Sequence, residues 1–235
     1  MGNMRQISIC IPTYEMNGLG HVFLRHSFEI LKNQTFKDFD VVVSDHSKDN
    51  LIQNLCEEYK NTLDISYHRN TTNFGSSSAN INNAIKNAHG TLIKVLFQDD
   101  FLYSPHSLED IVTNFDTTKD MWLVTPSEHT TDGVHFSRPF FPTYNNNIHL
   151  GKNTMSSPSV LTIRNKNPLL FDEKLVWLMD CDYYKRCYNA YGLPKITKEI
   201  NVVNRTGQHQ VSNTVINMAI KIKELLYIRK KYAHD

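Results

Sequence analysis

Two adjacent aspartates, Asp99 and Asp100, point most directly to chemistry in this chain of 235 residues. They follow the apolar run 92–97, which predicts a buried strand. Two neighbouring carboxylates at a strand end repel each other and lose solvation. A divalent cation relieves both costs, since Mg²⁺ or Mn²⁺ commonly joins one or two carboxylates to substrate phosphates. Neighbouring side chains of an extended segment point to opposite sides, so one aspartate could bind the metal and the other a ribose hydroxyl. The alternative is an acidic turn or helix cap ahead of the helix predicted from residue 105.

Polar residues also follow two earlier predicted strands. The strand at 7–11 is followed by Pro12, Thr13, Tyr14 and Glu15, and the strand at 39–43 by Asp45. In an open parallel sheet, ligands bind beyond the carboxyl ends of the strands, so these groups and the aspartate pair share one rim. Asp45 could accept the imide N–H of a uracil or thymine ring, or cap a surface turn before the next helix. Both interpretations remain open for Asp45.

The remaining elements alternate in type, which predicts an α/β fold with a mostly parallel sheet flanked by helices. Strands are predicted at 7–11, 39–43, 65–68, 92–97, 122–125, 160–164 and 201–205. Helices are predicted at 22–34, 49–60, 76–88, 105–115, 180–191 and 214–231. The stretch 127–157 is rich in Asn, Pro and Ser and predicts an irregular loop, either an acceptor lid or a buried flap.

Composition narrows the class of protein. Lys and Arg number 25 against 24 Asp and Glu, so the basic excess typical of duplex nucleic-acid binders is absent and no nucleic-acid partner is expected. No apolar run approaches the roughly 18 residues that a membrane span needs, and no signal peptide is apparent. The four cysteines form no CxxC pair, which argues against a zinc site or a disulfide framework. These features predict a cytoplasmic globular protein.

Five segments together resemble family 2 glycosyltransferases with the GT-A fold. The matching segments are the opening strand 7–14, the "QTF-DFE… -DDGS" stretch 34–47, the "N-x-G-x-x-x-A-R-N" stretch 73–80, the DXD-type pair 99–100, and the "ED-x-D-L-x-x-R" stretch 180–186. The resemblance implies a Rossmann-like, mostly parallel sheet in one GT-A domain over residues 1–235. A nucleotide-sugar donor half would span about 1–103, and an irregular acceptor half about 104–235.

The same resemblance implies a metal-dependent inverting glycosyltransferase. The donor would be a nucleotide-diphosphate sugar, with a UDP-sugar favoured, and the acceptor a hydroxyl of a glycan or a lipid-linked saccharide. Asp100 would bind Mn²⁺ or Mg²⁺, Asp99 would contact the ribose, Asp45 would contact the pyrimidine, and Asp180 would be the catalytic base. The nucleotide cleft would be lined by Pro12, Thr13, Tyr14, Glu15 and Asn73. His209 would supply a third metal ligand or a diphosphate contact.

Some positions depart from the family pattern or compete with these assignments. Ser44 stands where the pattern has the first Asp of a pair, Asn80 lacks the usual Arg before it, Gln98 replaces an Asp, and Met179 replaces a Glu. Asp182 competes with Asp180 for the role of base, and either carboxylate would also be favoured at a helix N-terminus by the helix dipole alone.

Other functions remain as alternatives. A non-catalytic nucleotide- or carbohydrate-binding module could use the same scaffold. A nucleotidyltransferase would need a Gly-rich, basic loop after the first strand, which 12–15 does not provide. Modification of DNA bases fits poorly with a net charge of +1. The basic segment 221–231 predicts either a docked helix with a solvated basic face or peripheral contact with an anionic membrane.

Overall fold

The computed structural model describes residues 5–208, 210 and 215–233, and its larger sheet has seven strands. These are β1 (Ile7–Thr13), β2 (Phe39–Asp45), β3 (Ile65–Arg69), β4 (Leu92–Val95), β6 (Trp122–Val124), β9 (Leu161–Arg164) and β10 (Lys195–Ile196). Their order is β10-β6-β9-β4-β1-β2-β3. Neighbours are parallel except at β9, which runs antiparallel to both β4 and β6. The predicted mostly parallel sheet is confirmed.

In the described part of the chain, six α-helices cover this sheet and connect its strands, as the sequence predicts. They are α1 (Gly20–Lys32), α2 (Leu51–Tyr59), α3 (Ser77–Lys86), α4 (Ser107–Asn114), α5 (Met179–Tyr191) and α6 (Met218–Lys231). Side-chain caps fix two of their starts, because Ser76 accepts from the Ala79 N–H and Asn217 from the Ile220 N–H. Among the helices that the structure describes, none has the length and apolarity to cross a bilayer.

A continuous hydrophobic cluster extends from Ile7 in β1 to Ile228 in α6. Every residue of β1 is buried, which is typical of a parallel strand covered by helices on both faces. Truncation of one such side chain to alanine commonly costs about 2–5 kcal/mol of folding free energy. The carboxyl ends of the central strands are therefore held on a rigid base. All four cysteines are buried and unpaired.

A second, four-stranded sheet corrects the prediction for residues 127–157. Its order is β5-β11-β7-β8, formed by β5 (Phe101–Leu102), β7 (Ser127–Thr130), β8 (Phe136–Phe140) and β11 (Val202–Arg205). The predicted irregular loop is thus wrong over β7 and β8. Strand β7 is polar in sequence and β8 is largely exposed, so neither carries the apolar period by which strands are recognised. Strand β11 was predicted from the sequence, but it lies in this second sheet. There it pairs antiparallel with β5, the short strand that follows the aspartate pair.

Candidate active site

One cleft, with a volume of about 590 Å³, opens at the carboxyl ends of β1 and β4. Six residues predicted from the sequence line it: Pro12, Tyr14, Glu15, Asp99, Asp100 and Asp180. The cleft therefore joins the ends of two strands of the large sheet to the start of α5. Thr13, Asp45 and Asn73 do not line it, and His209 lies outside the described residues.

The turn after β1 is fixed against the end of β4 by one side chain. The Gln98 amide accepts from the Tyr14 N–H at 2.6 Å and donates to the Tyr14 carbonyl at 2.9 Å. A Cβ at Gly20 would lie 2.1 Å from that carbonyl oxygen, so only glycine fits there. Met16 and Asn17 have positive φ angles of 45° and 53°, and both line the cleft. Gln98, which departs from the family pattern, thus shapes the cleft wall.

Asp45 is fully buried behind this wall. One carboxylate oxygen accepts from the Thr13 hydroxyl (3.2 Å) and the Ser47 N–H (2.9 Å), and the other from the Tyr67 hydroxyl (2.7 Å). Arg69 lies 3.6 Å from the second oxygen. Contact with a nucleobase would require rearrangement of these donors, and the base-reading role of Asp45 stays a prediction.

Two rings next to Asp45 reach the cleft instead. His46 and Phe74 both line it, with their ring centroids 5.4 Å apart. Phe74 is 51% exposed, which is a large apolar surface to leave in water. Asn73, beside it, donates to Glu173 at 2.5 Å and so joins the turn after β3 to the segment before α5. The nucleotide-binding role of Asn73 also stays a prediction.

Asp99 and Asp100 have different environments. Asp100 is buried, and its oxygens accept from the Ser159 hydroxyl at 2.6 Å and the Arg205 N–H at 2.9 Å, with the Ser157 hydroxyl at 3.4 Å. Burial, and next the Asp99 charge, raise the pKa of Asp100 well above the usual range of an aspartate. Asp99 is partly exposed at the cleft. Both carboxylates therefore line the cleft, but Asp100 is buried against β11 and the Ser157–Ser159 turn, whereas Asp99 is the more exposed of the two.

The described residues contain no group of three or more His, Cys, Asp or Glu side chains able to hold a metal by themselves. A single carboxylate beside an open cleft still fits Mg²⁺ or Mn²⁺, because these ions often take one or two protein carboxylates and complete their coordination with water and substrate phosphates. Asp99 meets that requirement, since it is a hard oxygen donor on the cleft surface.

Asp180 and Asp182 are also separated by the structure. Asp180, in the first turn of α5, lines the cleft, with one oxygen accepting from the Cys181 N–H and the other from the Asn153 amide, both at 2.7 Å. Desolvation raises the pKa of Asp180 to about 6, although these hydrogen bonds oppose the rise. A carboxyl group with this pKa is well placed to accept a proton near neutral pH.

Asp182 lies fully buried and faces α6. Its oxygens lie 2.8 Å from both Arg186 Nε and Lys231 Nζ, and it accepts from the Tyr232 hydroxyl at 2.7 Å. These contacts join α5 to α6. Asp182 therefore stabilises the packing of two helices, whereas Asp180 faces the cleft.

Two other departures from the family pattern contact each other. The Ser44 hydroxyl donates to the Asn80 side chain at 2.7 Å, and the Asn80 amide donates to the Thr13 carbonyl at 2.9 Å. A neutral pair thus links β1, β2 and α3 just below the cleft.

Asn153 and the Ser157–Ser159 turn are site residues that the sequence did not indicate. Asn153 lies 27 positions from Asp180, and Ser159 lies 59 positions from Asp100. No local motif marks such contacts, because they depend on how the second half of the chain returns to the sheet. The polar, Pro-containing composition of 127–157 was the only signal, and it indicated function without specifying residues.

The family model for "Glycosyl transferase family 2" matches residues 8–184. This range covers most of the chain and contains β1, the aspartate pair and Asp180. The chain belongs to glycosyl transferase family 2. The resemblance stated from the five segments is thereby confirmed.

Curated relatives agree with this membership at low identity. An uncharacterised glycosyltransferase of Methanocaldococcus jannaschii is 25% identical over 201 residues, covering 77% of this chain and 64% of the relative. A GalNAc(5)-diNAcBac-PP-undecaprenol β-1,3-glucosyltransferase of Campylobacter jejuni is 28% identical over 102 residues, covering 43% of this chain and 32% of the relative. The chain thus spans about two thirds of the Methanocaldococcus relative and about one third of the Campylobacter relative.

Solved glycosyltransferase structures confirm the GT-A fold. Residues 1–349 of S. aureus TarS in complex with UDP-GlcNAc superimpose with a TM-score of 0.64 at 20% identity, covering 98% of this chain and 73% of that one. The mannosyltransferase PcManGT from Pyrobaculum calidifontis in complex with GDP-Man and Mn²⁺ superimposes with a TM-score of 0.66 at 12% identity. The match covers 98% of this chain and 65% of PcManGT.

Proposed function

We propose that this family 2 member is a metal-dependent inverting glycosyltransferase that moves a sugar from a UDP-sugar to a hydroxyl of a glycan or lipid-linked saccharide. The observation that carries the proposal is that Asp99, between β4 and β5, and Asp180, at the start of α5, line the same cleft. Residues up to about 103 would bind the donor, and those from about 104 would bind the acceptor.

On the donor side, Asp99 rather than Asp100 is proposed to face the metal. Both carboxylates line the cleft, but Asp100 is buried and its oxygens accept hydrogen bonds from β11 and the Ser157–Ser159 turn, whereas Asp99 is the more exposed of the two. This reverses the roles given to the two residues from the sequence. When bound, the ion would neutralise the diphosphate as the glycosidic bond breaks. Asp100 would hold the end of β4 against the second sheet so that Asp99 keeps its position.

On the acceptor side, Asp180 is proposed to take the proton from the attacking hydroxyl. In an inverting displacement the hydroxyl approaches the anomeric carbon opposite the leaving diphosphate, through an oxocarbenium-like transition state. The carboxylate would receive the hydroxyl proton as the new bond forms. Asn153 and the Cys181 N–H leave lone pairs on both oxygens and fix the direction in which the carboxylate points.

Nucleotide preference is supported by the relatives rather than by a resolved contact. One structural neighbour binds UDP-GlcNAc and another binds GDP-Man with Mn²⁺. The Campylobacter relative acts on a polyprenyl-diphosphate saccharide, judging from its name, which supports a lipid-linked acceptor. Exposed Phe74 and neighbouring His46 offer ring faces on which a base could stack.

Slow hydrolysis of the donor tests the proposed reaction without a known acceptor. The protein is incubated with Mn²⁺ and α-linked UDP-GlcNAc, UDP-Glc or UDP-Gal, and the released sugar is followed by ¹H NMR before it equilibrates. The proposal predicts release of the β-anomer, dependent on the metal. Release of the α-anomer would contradict inversion, and nucleotide binding without release under any acceptor would favour a non-catalytic binding module.

Asn153 gives a prediction about pH dependence. Replacing Asn153 with Ala removes a hydrogen bond that favours the ionised form of Asp180, so the pKa of Asp180 should rise further above about 6. The acidic limb of the kcat profile should then move to higher pH by up to roughly one unit, while kcat on the alkaline plateau changes less. An unchanged acidic limb would contradict this contact with the base.

Helix α6 has a surface that supports contact with an anionic membrane. It packs against the domain through Glu224 and Ile228, which are buried, while Met218, Ile222 and Leu226 are 70%, 52% and 62% exposed. Lys223, Arg229 and Lys230 flank this apolar stripe. Within the described residues 215–233, the only acidic side chain is the buried Glu224. An exposed apolar stripe with basic flanks fits a layer of anionic phospholipids.

Replacing Ile222 with Asp should abolish binding to anionic vesicles without unfolding the protein, since this side chain is half exposed. Co-sedimentation with phosphatidylcholine vesicles, with and without phosphatidylglycerol, measures the effect. Leu193, which is 71% exposed outside α6, provides the matched Leu193→Asp control. Failure of the unmodified protein to bind anionic vesicles would contradict the proposal. A dimer abolished by Ile222→Asp would assign the stripe to a second copy of the chain.

A further inference from the structure

A buried carboxylate from the C-terminal helix binds the chain just ahead of the proposed base. Glu224 in α6 is 3% exposed. Its two oxygens accept from the backbone N–H groups of Val176 (2.8 Å), Trp177 (3.0 Å) and Leu178 (2.8 Å). Glu224 therefore connects α6 to the three residues that lead into α5.

These three N–H groups lie immediately ahead of the first turn of α5. Leu178 is the N-cap residue of the helix, and no side chain of its own segment caps it. The first N–H groups of a helix have no partner within the helix, and a negative charge at this end is favoured by the helix dipole. Glu224 supplies the charge at this end of α5, and acceptors for the N–H groups of the N-cap residue and the two residues before it, from 46–48 positions further along the chain.

The segment that Glu224 holds is also part of the cleft. Val176 and Trp177 line it, and so do Met179 and Asp180, which follow Leu178. A second contact fixes the same segment from the donor side, where the Ser78 hydroxyl donates to the Leu175 carbonyl at 2.9 Å. The position of Asp180 relative to the donor side therefore depends on contacts made from α3 and from α6.

We propose that Glu224 is a positioning residue for transfer: it sets the placement of Asp180 and of the cleft wall at Val176 and Trp177. The inference rests on the proposed function, because it assigns the reaction's base to Asp180. It makes α6 a functional element of the active site rather than a peripheral addition. Reacting groups displaced by about 1 Å can lose roughly a hundredfold in rate, so a loosened segment would slow the chemical step.

Glu224→Gln tests the proposal because it keeps the side-chain size while removing the charge and turning an N–H₂ group towards backbone donors. The expected result is a ten- to hundredfold lower kcat, with the affinity for UDP and Mn²⁺ unchanged, measured well below the unfolding temperature of the variant. Hydrogen–deuterium exchange should show faster exchange of the amides of Val176, Trp177 and Leu178.

Tyr227→Phe is the matched control, since it removes a different docking contact of the same helix, the 2.8 Å hydrogen bond to Asp172. It should keep kcat within about twofold even if it lowers stability. A Glu224→Gln kcat within twofold of the unmodified protein, unchanged amide exchange, or an equal kcat loss in Tyr227→Phe would overturn the proposal. Amide exchange reports on Glu224 even if no donor is turned over, so failure of the proposed function would be distinguishable.

Discussion

Replacing Asp180 with Asn should lower kcat for transfer by about 10²–10⁴-fold, the range that a positioned general base contributes. The amide has nearly the same shape as the carboxylate and can still accept from Asn153 or Cys181, but it cannot take a proton. Binding of UDP with Mn²⁺ should be unchanged, because the residues proposed to bind the donor lie on the other side of the cleft. Isothermal titration calorimetry and initial rates measure the two quantities separately. Full activity in Asp180→Asn would refute the assignment of the base.

The pH dependence of the unmodified protein follows from the same carboxyl group. Because the base must be ionised, and desolvation raises its pKa to about 6, kcat should fall about tenfold per unit as the pH drops below 6. In Asp180→Asn this acidic limb should disappear from the residual rate. A limb that persists in the variant would belong to another group.

Asp182→Asn is the matched control for Asp180→Asn, two positions along the same helix. Asp182 is fully buried, and removing its charge takes the carboxylate partner from Arg186 and one of two carboxylate partners from Lys231, which also pairs with Asp172. Removal of one partner from a fully buried ion pair commonly costs about 3–5 kcal/mol, and the loss here should be smaller because Arg186 and Lys231 are 21% and 23% exposed. The variant should unfold at a lower temperature, while the fraction that remains folded keeps most of its kcat.

Replacing Asp99 with Ala should remove metal-dependent binding of the nucleotide. Asp99 is the partly exposed carboxylate of the pair on the cleft, so its loss leaves a bound ion without its protein ligand. Mutation of a residue that hydrogen-bonds to a metal ligand typically weakens metal binding 10–100-fold. Loss of a ligand itself should therefore weaken UDP binding in the presence of Mn²⁺ by at least this factor. Titration of UDP with Mn²⁺, compared with EDTA, measures this loss. The unfolding temperature without ligand should change little.

Asp100→Asn separates the roles of the two aspartates. An amide cannot accept at both positions now used by Ser159 and the Arg205 N–H, so one buried donor loses its partner at a cost of about 1–3 kcal/mol. The variant should be less stable but should retain a response to Mn²⁺. If Asp100→Asn loses the metal response and Asp99→Ala keeps it, the original assignment from the sequence is correct and the proposed exchange of roles is wrong.

The large sheet could be predicted from the sequence because its strands are continuous apolar runs and its helices have apolar residues at helical spacing. The rim at the carboxyl ends of β1 and β4 followed from that topology, and with it the gathering of Tyr14, Asp99 and Asp100. Parallel strands make this inference strong, since their ends must meet at one edge.

The rest of the site depends on contacts that no local pattern encodes. Strands β7 and β8 lack an apolar period, so the second sheet and its contact with Asp100 were missed. Glu224 looked like one acid in a basic helix, yet it is buried against a segment 46–48 positions away. Asp45 was placed on the correct strand, but its donors come from β1 and β3, which the sequence could not arrange around it.

Thermal unfolding with UDP, GDP, dTDP and CMP, each with Mn²⁺ and with EDTA, tests the central claim most directly, because a ligand that binds only the folded state raises its stability by mass action. A metal-dependent donor site should give a shift to higher unfolding temperature with UDP that requires Mn²⁺ and is lost in Asp99→Ala. No shift with any nucleotide, or an equal shift in EDTA, would contradict a metal-dependent donor site in this cleft.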